Sequence, residues 1–177
     1  MRILAIYSLV LGFGASAAPT CTTTPESSKT LALTGVTHFV TAGPDLRFDP
    51  ENIVAETGDI IEWHFLARNH SVAQSSFDRP CVPADENSFF SGFFPTTGNR
   101  SSDVFQIIVQ HQAPLWFYCS QESHCQRGMV GVINQGGDVN STLKVYREHA
   151  AQTCKSVSQQ NILGGSRIPN PDPLRGF

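Results

Sequence analysis

Methionine is nearly absent from this sequence. Of 177 residues only two are methionine, Met1 and Met129. A chain that does not use methionine as core filler has some other use for the one at 129. Charge is scarce as well. Lys, Arg, Asp and Glu make up 15% of the chain and the formal net charge is −3. That is too little charge for a disordered chain, and its sign argues against nucleic acid or an anionic membrane surface as partner. Apolar runs long enough to cross a bilayer are lacking. The one extended run, Ile3 to Phe13, follows Arg2 and precedes Ala15-Ser16-Ala17, which is the pattern of a cleaved export leader. There is no internal repeat, no H-x-H pair, and no sustained helical periodicity before Leu143.

The chain does have 40% hydrophobic residues, 12 phenylalanines, 14 glycines and 11 prolines. Aromatic runs broken by turn residues are the pattern of an all-β domain. Strands are predicted at Thr37–Val40, around the turn between Leu46 and Ala55, and at Ile60–Phe65 after the turn signal Thr57-Gly58-Asp59. Further strands are predicted at Val104–Val109, Leu115–Tyr118 and Val130–Ile133. Short strands of this kind point to a β-sandwich or Greek-key barrel. The organisation read from the sequence is a leader at 1–17, an N-terminal lead at 18–34, one domain at 35–147 and an irregular tail at 148–177. Removal of the leader takes Arg2 with it and makes the chain slightly more acidic. The tail is polar and Pro-rich, so no glycolipid-anchor signal is read there and the product is expected to be exported, soluble and unanchored. Residues 74–100 read as a long irregular loop, of the kind that is functional or stapled. Leu143 to Cys154 reads either as a terminal helix or as a last strand.

The chemistry concentrates in Tyr118-Cys119-Ser120-Gln121-Glu122-Ser123-His124-Cys125-Gln126-Arg127-Gly128-Met129. Cys119, His124 and Met129 stand at C-x4-H-x4-M. A centre cycling between Cu(I) and Cu(II) needs one soft thiolate, two imidazoles and a weak axial thioether. One loop between two strands can gather the first, one imidazole and the last. The second imidazole must come from elsewhere, and His70, just beyond the strand at Ile60–Phe65, is the candidate. The plain alternatives are that Cys119 is half of a disulfide, Met129 a core residue and His70 a hydrogen-bonded loop histidine. Cysteine parity weighs against the first. The chain has 5 cysteines, an odd number for an exported protein, and a free thiol persists there when buried or metal-bound. Histidines 38, 64, 111 and 149 are read as structural or surface residues.

From about Val36 to Val145 the chain resembles the extracellular cupredoxins of fungi and, more distantly, the plant phytocyanins. The matching pieces are Asn69-His70-Ser71-Val72, Gln74-Ser75-Ser76-Phe77, Pro80-Cys81, Trp116-Phe117-Tyr118-Cys119, His124-Cys125 and Gly128-Met129-Val130-Gly131-Val132-Ile133-Asn134. The resemblance implies a Greek-key β-sandwich with one type 1 copper site at His70, Cys119, His124 and Met129. It also implies a Cys81–Cys125 disulfide beside His124. By elimination, Cys21 and Cys154 are left as a second pair.

The expected function is one-electron transfer by a secreted, non-enzymatic, monomeric copper protein whose redox partner is unknown. The alternatives are a non-redox copper-binding or cell-wall and signalling protein on the same fold, and a multicopper oxidase. Tyr118 and Ser120 flank Cys119 where such an oxidase resembling this chain would place histidines, which disfavours the oxidase. Of the three sequons, Asn99 and Asn140 are expected to carry glycans. Asn69 is not, because a glycan there would crowd His70.

Overall fold

The protein, seen in a computed structural model, is described here over residues 32–43 and 45–173. The leader, most of the lead and Cys21 fall outside the described residues. Among the described residues two sheets form. The first has the order β2-β1-β4-β6-β9 and the second β3-β8-β7-β5. Their strands are β1 (Thr37–Ala42), β2 (Phe48–Asp49), β3 (Asn52–Ile53), β4 (Ile60–His70), β5 (Ala73–Ser75), β6 (Phe94–Ile108), β7 (Leu115–Tyr118), β8 (Val130–Ile133) and β9 (Ser166–Pro169). β1 runs parallel to β4 and β3 parallel to β8, and the other pairs are antiparallel. This is the all-β sandwich expected from the strand pattern.

The period of two explains which side chains meet. In β4, Ile61, Trp63 and Phe65 enter the core between the sheets, while Glu62 and His64 take the opposite face and pair with one another. The turn before β4 depends on Gly58, whose φ is +97° and whose Cβ would lie 2.4 Å from the Ala32 carbonyl oxygen. Alternation is clearest in β7. Phe117 faces the inter-sheet core, while Trp116 and Tyr118 face a second core under the helix α1 (Leu143–Ala151). Burial on both faces is why Leu-Trp-Phe-Tyr reads as an unbroken apolar run. Gly131 of β8 leaves room for the Phe117 ring, since a Cβ there would come within 2.3 Å of it.

One feature that the sequence left open is decided, and two differ from the sequence reading. Leu143–Ala151 is a helix, capped by the Thr142 hydroxyl accepting from Val145 N at 3.3 Å. Residues 74–100 are not irregular throughout. Their start lies in β5, and from Phe94 they form the first half of β6, which pairs with β4 as far as His70. Phe89 and Phe94 pack in the inter-sheet core, with Phe94 stacked on Phe65 at 3.8 Å between centroids. The C-terminal tail is not irregular along its whole length either. Ser166–Pro169 adds β9 to the edge of β6. Gly164 and Gly165 permit that approach, because Cβ atoms there would meet Phe89 Cβ at 2.7 Å and the Gln106 carbonyl oxygen at 2.4 Å. Four residues without alternation, Ser-Arg-Ile-Pro, carry no strand signal of their own.

Candidate metal centre

His70 ends β4, Cys119 directly follows β7, Met129 directly precedes β8, and His124 lies in the loop between the last two. Strand pairing brings these ends together. The Tyr118–Val130 pair closes the β7–β8 ladder, and beyond it Cys119 N donates to the Met129 carbonyl at 3.0 Å. Met129 N donates to the His124 carbonyl at 2.9 Å, and His124 N to the Gln121 carbonyl at 2.9 Å, so the loop coils back on itself. Cys119 continues the alternation of β7 and points its thiol into the inter-sheet core, where Met129 is also buried.

One ligand atom from each of His70, Cys119 and His124 lies within 4.8 Å of the other two. The Cys119 Sγ is 3.4 Å from His124 Nδ1, and the two imidazole centroids are 5.2 Å apart. His70, Cys119 and Met129 are fully buried, and His124 is half-buried. His70 Nε2 donates to the Ala67 carbonyl at 3.2 Å, since a carbonyl can only accept. That fixes the tautomer and leaves Nδ1 as the lone-pair nitrogen. This Nδ1 is buried and has no hydrogen-bond partner among the described residues.

Such an orphaned acceptor is costly unless something occupies it. Burial also holds both imidazoles below their usual range. His70 is lowered to about 4, by burial first and then by the charge of His124. His124 is lowered mainly by burial, and burial pushes the Cys119 thiol up. The pocket therefore presents neutral nitrogens ready to donate and a thiol that needs a cation to ionise. Two imidazoles and a thiol around one point, with a thioether in the same core, fit a copper ion of the blue-copper type.

Outer partners hold these groups. Ser71 N donates to Cys119 Sγ at 3.4 Å, and Ser120 N donates to Ser71 Oγ at 3.0 Å, tying the His70 strand to the Cys119 loop. Asn69 Nδ2 donates to Gln121 Oε1 at 2.8 Å, a second tie between the same segments. None of these roles was legible in the sequence, because the pairs are 48 to 52 residues apart and share no spacing pattern. The Cys81–Cys125 disulfide is present, next to His124 and across a sequence separation of 44. Cys119 is free and buried. Cys154 is exposed and has no disulfide partner among the described residues, and its expected partner Cys21 lies outside them. Asn99 and Asn140 are exposed, whereas the side-chain nitrogen of Asn69 is engaged with Gln121.

No protein-family model matches the chain. Among curated proteins it is 33% identical over 121 residues to a protein of Arthroderma benhamiae named "probable GPI-anchored cupredoxin-1", covering 68% of this chain and 61% of that protein. It is 32% identical over 121 residues to one named "extracellular serine-rich protein" from the same organism, of which it covers 47%. The match thus spans about half to three-fifths of these relatives' lengths. Among solved structures, it aligns with reduced auracyanin from Roseiflexus castenholzii at 19% identity and a TM-score of 0.42, covering 55% of this chain and 94% of that one. It aligns with oxidised plastocyanin from Dryopteris crassirhizoma at 17% identity and a TM-score of 0.38, covering 54% and 97%.

Proposed function

This chain resembles the fungal cupredoxins in sequence and shares their type of fold, and from that premise we propose that it is an extracellular type 1 copper protein that carries single electrons. The observation that carries the reading is the buried meeting of His70, Cys119 and His124 within 4.8 Å. Copper held there supplies one-electron exchange between Cu(II) and Cu(I). The protein's part is to fix the donors. Cys119 would supply the anionic sulfur, His70 and His124 the two nitrogens, and Met129 a weaker thioether sulfur. The Ala67 carbonyl and the Ser71 amide hold His70 and Cys119 in place, and the Cys81–Cys125 bond anchors the residue after His124. Donors pinned from both sides change position little between oxidation states, which favours fast electron exchange. The names of the two relatives, one GPI-anchored and one extracellular, favour an extracellular or cell-surface location.

The test is titration of the purified chain with Cu(II), followed by visible absorption and calorimetry. An intense thiolate-to-copper band at one equivalent is expected, reversible on reduction and reoxidation. Cys119→Ser should fold yet lose that band. A chain that binds no copper, or a Cys119→Ser variant that stays blue, refutes the reading. Copper binding without reversible redox chemistry would favour the storage or signalling alternative.

A further inference from the structure

We propose that a cleft between the β1–β2 turn, the end of the β7–β8 loop and α1 binds a phosphate group, free or esterified to a small polar molecule, through Arg47, Arg127 and Arg147. The cleft measures about 270 Å³ and is lined by these three arginines with Asp45, Glu51 and Gly128, and by Leu46 at its edge. The copper reading plays no part in this inference.

Separate segments converge on the cleft, and backbone hydrogen bonds pin each of them. The β1–β2 turn is closed by Gly43 N donating to the Arg47 carbonyl at 3.0 Å. Within it Leu46 takes a φ of 55° and packs against the inter-sheet core, while Arg47 beside it is exposed. Arg127 N donates to the Ser123 carbonyl at 3.0 Å and Gly128 N to the Cys125 carbonyl at 2.9 Å, so the end of the β7–β8 loop is fixed too. Arg147, on α1, donates from Nη2 to Glu51 Oε2 at 2.6 Å. The Glu51 carbonyl in turn accepts from Val132 N of β8 at 2.9 Å. Gly128 leaves room for Arg147, because a Cβ there would lie 3.4 Å from Arg147 Cδ.

Charge selects the ligand. Three guanidinium groups share the cleft with two carboxylates, and one of those, Glu51, is already engaged by Arg147. Arg47 and Arg127 have no ion pair among the described residues, where the other paired arginine is Arg167, with Asp103. The chain as a whole carries a formal charge of −3, so this is a local reversal of sign. At physiological salt charges beyond roughly 8 Å contribute little, and the groups of the cleft decide. A planar carboxylate is satisfied by a single guanidinium fork. The oxygens of a tetrahedral phosphate point several ways and can be shared among guanidiniums that arrive from different elements. Arg147 spends one of its five donors on Glu51 and keeps the rest. With Leu46 as its one large apolar side chain, the cleft suits a polar ester such as a sugar phosphate rather than a lipid.

The test is a titration of the 15N-labelled full chain, without added metal, with inorganic phosphate and separately with glucose 6-phosphate, at an ionic strength held constant with sodium chloride. Saturable shifts are expected at residues 45–47, 127–128 and 147. Arg47→Gln and Arg127→Gln should each weaken binding about tenfold, the usual worth of a hydrogen bond to a charged group. Both side chains belong to exposed residues, and the dispersion of the same spectra verifies that the variants fold. Asp45→Asn should tighten binding, and Lys144→Gln, on the exposed face of α1 outside the cleft, should behave like the parent. Tighter binding of the ester assigns the site to a sugar phosphate, and equal affinity assigns it to the free ion. The proposal is overturned if chloride alone produces the same shifts, if the shifts map elsewhere, or if the Arg47→Gln/Arg127→Gln double variant binds like the parent. A chain that takes no copper but binds phosphate here fails the copper reading alone.

Discussion

The second sheet separates two cores that are built by different means. The one between the sheets is made of regular strands: Val40, Ile61, Trp63, Phe65, Phe105 and Phe117, all at period two. The one on the other side joins Trp116, Tyr118, Val130 and Val132 to the helix residues Leu143, Tyr146 and Ala150 and to the disulfide Cys81–Cys125. The thiol of Cys119 and the thioether of Met129 belong to the first, while Cys125, next to His124, belongs to the second. The metal loop is thus strung between a core that positions the soft ligands and a core that anchors the imidazole. Each can be perturbed with a different readout.

The largest effect is expected from opening the second core covalently. Cys81→Ala with Cys125→Ala releases a loop of separation 44, which chain entropy values at about 4 kcal/mol. Urea unfolding of the metal-free chain measures it. A loss under about 1 kcal/mol would mean that packing alone holds that side. Next comes Leu143→Ala, which leaves a hole beneath α1 and should cost about 2–3 kcal/mol in the same assay. Because Leu143 touches only the second core, the visible band of the copper form should not move. A shifted band would show that the two cores are mechanically coupled and erase the distinction.

The same division explains what could be read from the sequence. The first core was legible because alternation is local: Ile60–Phe65, Val104–Val109 and Leu115–Tyr118 announce themselves. The meeting of Cys119 with His124 was legible because one loop holds them at fixed spacing, and that of His70 because it ends the strongest strand, while Met129 is placed only in the same core. The second core was not, since nothing local says that residues 148–173 return to the sandwich or that Phe77 stacks beside Tyr146 at 6.1 Å. β9 and the first half of β6 depend on a partner strand rather than on their own composition, which is the usual limit of strand propensity. The ties of Ser71 and Asn69 are likewise contacts between distant segments.

A smaller effect separates the ligands within the first core. If Met129 is the weak fourth donor proposed above, Met129→Gln exchanges its soft sulfur for a harder oxygen of similar volume, which favours Cu(II) and should lower the reduction potential while leaving one copper bound. Protein-film voltammetry reads it. A raised potential would remove Met129 from the axial position.

The smallest effect tests the polar latch at the turn before β4, where the first core is closed by hydrogen bonds rather than by packing. Asp59 accepts from the Thr34 hydroxyl, pairs with His38 at 2.7 Å, and accepts from Glu56 N at 2.9 Å. These contacts, with the Thr34 hydroxyl first and then His38, hold its carboxyl down at about 2, against an ordinary 3.8. The sign follows from linkage. Between those two values the unfolded chain binds a proton that the folded chain refuses, so stability rises with pH there. The contribution is complete above the ordinary value and disappears as pH falls towards about 2. Asp59→Asn should therefore lower Tm near neutral pH, and the gap to the parent should narrow steadily once pH drops below about 4. Calorimetric scans of the metal-free chain over that range decide it. A gap that stays constant with pH would mean that the carboxylate's charge contributes nothing, and that the latch is held by the shape of the turn around Gly58.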